Sequence, residues 1–174
     1  MDTRSRGRRA SAWTPESLIA ATPEPAAASI FEEPASMSPS LLAVLLYAAL
    51  TLLLLISIAA MRARLVITRQ RAADAFTPAG DDVSPFSGRL CRAHANCCEN
   101  LPVFGALVAT AVLSSHSDIT DPTALWVLAA RAGQTVTHLG SGRRRAIRLR
   151  FLFMLVQIAM QTMWVVHLLR VSVQ

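Results

Sequence analysis

The sequence predicts an all-α integral membrane protein built as a four-helix transmembrane bundle. Three observations carry that prediction. The chain of 174 residues is 53% apolar and only 16% charged, where soluble domains average about 45–50% and about 25%. The charges are bunched, so long uncharged stretches run from Glu33 to Arg62, from Glu99 to Asp118 and from Arg150 to Arg170. Each is close to the ~20 residues a helix needs to cross a bilayer. Finally, no alternating strand pattern and no internal repeat competes with the helical signal.

Residues 1–37 are rich in Ala, Pro, Ser and charge and have no apolar face to bury, so this segment reads as a disordered tail ahead of a membrane domain at 38–174. Arg4, Arg6, Arg8 and Arg9 resemble the start of a transit peptide, but Glu16, Glu24, Glu32 and Glu33 argue against one. Met37, just before the first apolar run, is an alternative start. The first helix covers 41–61, opened by Ser38 and Pro39 and closed by Arg62 and Arg64. A polar connection with turn signals at Pro78-Ala79-Gly80 and Pro85 follows to residue 86. The second helix begins near Ser87, stays polar through Asn100 and is apolar over 101–115. The third covers 122–140 and is interrupted by Arg131; the fourth covers 151–169.

All 17 basic side chains are arginine, against 11 acids, for a net charge of +6. They crowd the first connection (Arg62, Arg64, Arg69, Arg71, Arg89) and the third (Arg143, Arg144, Arg145, Arg148, Arg150), and are missing from 114–121. The positive-inside rule then places 62–89 and 140–150 in the cytoplasm and both termini outside. A bacterial inner membrane is the expected location. A basic chain also raises nucleic acid as a partner, but this distribution answers to a bilayer, so no nucleic-acid role is expected.

Charges inside membrane helices are expensive and point to function or to contacts between helices. On helix two, Arg92, Asn96 and Glu99 recur at i, i+4, i+7 and share one stripe. Two readings stand: a self-satisfied network in which Arg92 pairs with Glu99 or a neighbouring helix, or a site for a small zwitterion whose carboxylates and amine complement Arg and Glu. Arg131, Gln134, Thr135 and His138 share a face of helix three, and Gln157, Gln161 and Trp164 share one on helix four, the latter read mainly as interhelical glue. Cys91, His94 and Cys98 fall on another face of helix two. A structural zinc wants four ligands, usually at loop spacings, so buried thiols at a helix interface are the better reading and no metal is expected. No Walker loop, Rossmann glycine run or Ser-His-Asp arrangement is present.

The run Arg92-Ala93-His94-Ala95-Asn96-Cys97-Cys98-Glu99-Asn100-Leu101-Pro102-Val103-Phe104 resembles the signature of the membrane-associated proteins in eicosanoid and glutathione metabolism, the MAPEG family. The similarity extends over roughly 38–169. It implies a homotrimer of left-handed four-helix bundles with glutathione, the co-substrate, bound between subunits near the cytoplasmic face. By this resemblance Arg92, Asn96 and Glu99 contact the tripeptide, Arg131 matches the arginine of helix three, and His138 faces the peptide. Arg148 matches the arginine that stabilises the thiolate, with Arg145 and Arg150 as alternatives in register. Three departures bear on turnover: His138 replaces a tyrosine, Ala95 replaces a second arginine of catalytic members, and Leu149 replaces a serine of one branch.

The function implied by the resemblance is a glutathione-dependent membrane transferase or peroxidase acting on hydrophobic electrophiles or lipid hydroperoxides. The competing expectation is a non-catalytic lipid-binding or scaffold protein on the same fold. A proton-coupled exporter is disfavoured because Glu99 lies near the end of its helix.

Overall fold

The computed structural model describes residues 36–140 and 142–173; of the tail expected at 1–37, residues 1–35 lie outside the described residues. Four long helices follow one another in sequence: α1 (Pro39–Ile67), α2 (Pro85–Leu113), α3 (Asp121–Gly140) and α4 (Arg144–Ser172), with a 3-10 turn at Ser117–Ile119 before α3. No strand occurs among the described residues. Helices α1, α2 and α4, each of 29 residues, are long and apolar enough to cross a membrane. At 1.5 Å per residue each is about 44 Å long, more than the ~30 Å hydrocarbon core. Helix α3 has 20 residues and, because it carries Arg131, Gln134 and His138, falls short of that composition.

Helix starts follow local chemistry. Ser38 caps α1 through its hydroxyl, which accepts from the Leu41 amide, and Pro39 fills the first turn, where no N–H is needed. Ser84 and Pro85 repeat the arrangement on α2. That start makes α2 begin two residues earlier than expected, at Pro85 rather than Ser87.

The helices are also longer than their apolar runs, which corrects the sequence expectation. Helix α1 continues six residues past Met61, through Arg62 and Arg64, and stops only where Arg69 adopts a left-handed φ of 55°. Helix α4 starts at Arg144 rather than at 151. Arginine is a good helix former, so a charge ends an apolar run without ending a helix. The connections expected at 62–89 and 140–150 accordingly shrink to 68–84 and 141–143.

The core is narrow and aromatic. The Tyr47 and Phe104 rings lie 5.5 Å apart and Phe104 and Trp164 5.8 Å apart, joining α1, α2 and α4. All three rings are fully buried, and such pairs add about 0.5–1.5 kcal/mol beyond area burial. At the same end of the bundle the Ser40 amide donates to Asp121 (3.0 Å), the Ser40 and Thr120 hydroxyls bond (2.8 Å), and the Trp164 indole N–H donates to Thr123 (2.9 Å). Outside this core Leu45, Leu52, Leu53, Ile56, Phe151, Leu152 and Ile158 are each more than half exposed. An outer surface this apolar suits lipid or another subunit rather than water.

The 68–84 connection is held by its own contacts. Arg71 pairs with Asp82 at 2.7 Å, the Thr77 hydroxyl donates to the same carboxylate, and Arg62 donates to the Thr77 carbonyl at 2.8 Å. Arg62 and Arg71 both lie over the Phe76 ring. Hydrogen bonds from the Thr77 hydroxyl and then from the main chain, with the Arg71 charge last, hold the Asp82 carboxyl below its ordinary pKa of 3.8. Gly80 turns with φ +70° against the Cys91 thiol and Ser87 hydroxyl, leaving no room for a Cβ.

Candidate functional site

The spacing that puts Arg92, Asn96 and Glu99 on one stripe of α2 points that stripe at the gap between α3 and α4. There the structure opens a cleft of about 690 Å³. Helix α2 contributes Arg89, Arg92, Ala95, Asn96 and Glu99, helix α3 contributes Gln134 and His138, and helix α4 contributes Ile147, Arg150, Phe151 and Met154, with Gly142 at the rim. The cleft therefore has three guanidiniums, one carboxylate and one imidazole, with Arg150 beside an apolar wall contributed by α4.

Each charged group is held differently. Arg92 pairs with Asp81 of the 68–84 connection at 3.2 Å, not with Glu99 or a neighbouring helix, the two partners the self-satisfied network offered. Both groups of that pair are more than half exposed, so the bridge is worth little and is easily exchanged for another carboxylate. Arg89 donates to the Leu139 carbonyl at 3.2 Å, tying α2 to the end of α3. Glu99 is exposed and makes no hydrogen bond or ion pair with any described residue. Arg150 donates to the Ala146 carbonyl and, at 3.0 Å, to Nδ1 of His138. A guanidinium only donates, so this bond makes Nδ1 the acceptor and leaves Nε2 as the ring's donor.

Arg131 does not line the cleft. It is 3% exposed, lies over the Tyr47 ring at 5.4 Å and donates to the Asn96 main-chain carbonyl at 3.3 Å. It thus supports the turn of α2 that carries Asn96. Among the described residues its Nε has no hydrogen-bond partner, nor do Asn100 Nδ2 on α2 and Gln157 Oε1 and Gln161 Nε2 on α4. Gln157 spans the bundle by donating to Gln134 at 3.0 Å, which is the glue role expected for helix four.

Of the residues singled out in sequence, the fold brings Arg92, Asn96, Glu99 and His138 to one cleft, sets Arg131 behind it and leaves Arg148 exposed outside its lining. Arg89, Gln134 and Arg150 complete its polar side chains. Gln134 was already on the helix-three stripe and Arg150 was an alternative in register. The signal for Arg89 was its place three residues before Arg92; counting it as a loop charge hid it. On the other face of α2, Cys98 Sγ lies 3.5 Å from His94 Nε2 while Cys91 is buried against the 68–84 connection. No group of three His, Cys, Asp or Glu among the described residues is set to hold a metal.

The fold and cleft define a helical membrane protein with an arginine-rich site opening beside an apolar surface. The chain belongs to the MAPEG family, whose sequence model matches residues 40–170 and so spans all four helices. No curated protein and no solved structure matches it.

Proposed function

We propose that this protein is a glutathione-dependent membrane transferase or peroxidase acting on hydrophobic electrophiles or lipid hydroperoxides. The observation that carries the reading is the pairing, within one cleft, of Arg89, Arg92 and Arg150 with an unengaged Glu99 beside an apolar wall of Ile147, Phe151 and Met154. A tripeptide thiol with two carboxylates and an ammonium complements that charge pattern: the guanidiniums take the carboxylates and Glu99 the amine. The apolar wall takes the second substrate, which the bilayer concentrates.

In the transferase step the thiolate sulfur forms a bond to the electrophilic carbon as the leaving group departs with its electron pair. In the peroxidase step the sulfur takes the terminal oxygen of the hydroperoxide, releasing an alcohol, and a second thiol converts the sulfenic acid to a disulfide and water. Both need a thiolate at neutral pH, which a neighbouring guanidinium favours over the free thiol's pKa of ~8.5. Arg148 was expected in that role; Arg150, two residues on and lining the cleft, is the better placed group. Family membership further suggests a homotrimer, the arginines near 62–89 and 140–150 favour a cytoplasmic cleft end, and a bacterial inner membrane is the proposed location. Conjugation of glutathione to an aryl halide, compared between Arg148→Ala and Arg150→Ala in detergent, tests the assignment. Loss in the Arg150 variant alone supports it; loss in the Arg148 variant alone moves the role to Arg148.

A second reading, a non-catalytic lipid-binding protein, draws on an apolar cavity of about 540 Å³ between α1, α2 and α3, lined by Leu50, Leu53, Leu54 and Leu90 among others. Glutathione at millimolar concentration raises the melting temperature only if it binds the folded state, which separates the two.

A further inference from the structure

The three thiols of α2 are held in three different ways. Cys97 is fully buried and shares a hydrogen bond with the Thr135 hydroxyl on α3 at 3.8 Å. Cys91 is buried beneath Gly80 of the 68–84 connection. Cys98 is exposed, and its Sγ lies 3.5 Å from Nε2 of His94, one turn earlier on the same face. With the ring proton on Nδ1, Nε2 accepts from the thiol. A thiol within hydrogen-bond reach of an imidazole is the arrangement of an activated nucleophile, whereas buried structural thiols are inert.

The surroundings leave that sulfur open. Ala95 and Pro102, one turn to either side, are both exposed and carry neither a polar group nor a long side chain to cover it. Pro102 also has no N–H to give the Cys98 carbonyl, so α2 lacks one helical bond at this level. Neither His94 nor Cys98 lines the cleft between α2, α3 and α4. Counted back from Leu113 at 1.5 Å per residue, Cys98 lies about 23 Å along α2, inside the ~30 Å hydrocarbon core. A reagent that reaches it there must dissolve in lipid. Expelling a charged leaving group into that medium is costly, which favours an addition over a displacement.

We propose that Cys98 is a modification site for lipid-borne α,β-unsaturated carbonyl compounds, with His94 as its base. Nε2 takes the S–H proton as a sulfur lone pair forms the bond to the β-carbon. The π pair of the double bond shifts to give an enolate, whose α-carbon then takes the proton back from the imidazolium. The thiol thus adds across the double bond with no leaving group and no oxidant. The pair stands on a different face of α2 from the cleft and does not depend on the glutathione reading.

The test exposes the full-length protein in lipid nanodiscs, without glutathione, to octyl vinyl ketone and reads adducts site by site by peptide mass spectrometry. The expected result is an adduct on Cys98 with Cys91 and Cys97 unmodified, and no labelling of Cys98 by an anionic maleimide confined to water. In His94→Ala the Cys98 rate falls about a hundredfold, the low end for loss of a positioned base, and added imidazole restores part of it. Equal modification of the three thiols, or none, overturns the proposal, as does labelling of Cys98 by the anionic maleimide at a comparable rate. An unchanged rate in His94→Ala overturns the role of His94, and so does a loss that imidazole leaves unrestored, which assigns the ring to packing. Should His94→Ala fail to fold, the selectivity of the native protein among its three thiols still decides whether Cys98 is the site.

Discussion

The two ends of the bundle solve opposite problems. Around Ser40, Thr120, Asp121, Thr123 and Trp164, polar groups at the helix starts bond to one another and the Tyr47–Phe104–Trp164 rings fill the space between helices. Around Arg92, Glu99, His138 and Arg150 the helices part, a 690 Å³ cleft remains, and Glu99 has no partner among the described residues. Polar groups inside an apolar medium are stabilising only when satisfied. At the closed end Ser40, Thr120, Asp121, Thr123 and Trp164 satisfy one another and hold the helices together. The open end departs from that rule where a ligand would supply the missing partners, which is what a binding site requires.

Substitutions at the two ends should therefore separate stability from chemistry. The largest effect belongs to Trp164→Ala at the closed end, which deletes a fully buried ring and its bond to Thr123. A loss of about 3–5 kcal/mol is expected, read as a lower unfolding midpoint in detergent. An unchanged midpoint would mean that the aromatic column does not hold the bundle. At the open end, Arg150→Ala should remove glutathione conjugation while shifting the melting temperature little, because the side chain's bonds are to the cleft's own His138 and Ala146. A collapse in stability there would show that the two ends are not separable.

Smaller effects sharpen the contrast. Asp81→Asn releases Arg92 from its exposed ion pair, so affinity for glutathione should rise severalfold, in line with the up to ~1 kcal/mol such a pair contributes. Weaker binding would make Asp81 part of the site rather than a competitor for it. The least effect concerns acid. Because the Asp82 carboxyl titrates below its ordinary 3.8, its contribution to order in 68–84 is complete above that pH and fades as pH falls through the lowered value. Hydrogen exchange across 68–84, corrected for intrinsic rate, should accelerate in that window, and Asp82→Asn should exchange fast at all pH values.

The same contrast decides what could be read without coordinates. The apolar runs on α1 and α4 and the Arg92, Asn96, Glu99 stripe were legible because periodicity is a property of one helix. Their true ends were not, since arginine is compatible with both a helix and a loop and only the left-handed turn at Arg69 and the cap at Thr68 stop α1. Partners across helices were hidden for a different reason. Nothing in the spacing of Arg92 points to Asp81, eleven positions earlier in the turn, and nothing in the run 143–150 says which arginine faces His138. Register between α3 and α4, where Gly133 packs so tightly on the Phe153 ring that a Cβ would collide, settles that choice in favour of Arg150.

The most direct test of the open end as a glutathione site is isothermal titration of glutathione into the full-length protein in detergent, beside Glu99→Ala. The account predicts saturable binding in the native protein and at least a tenfold loss in the variant, the ~1.5–3 kcal/mol of a charged hydrogen bond. Equal binding by the two proteins, or none by a folded native protein, would contradict it.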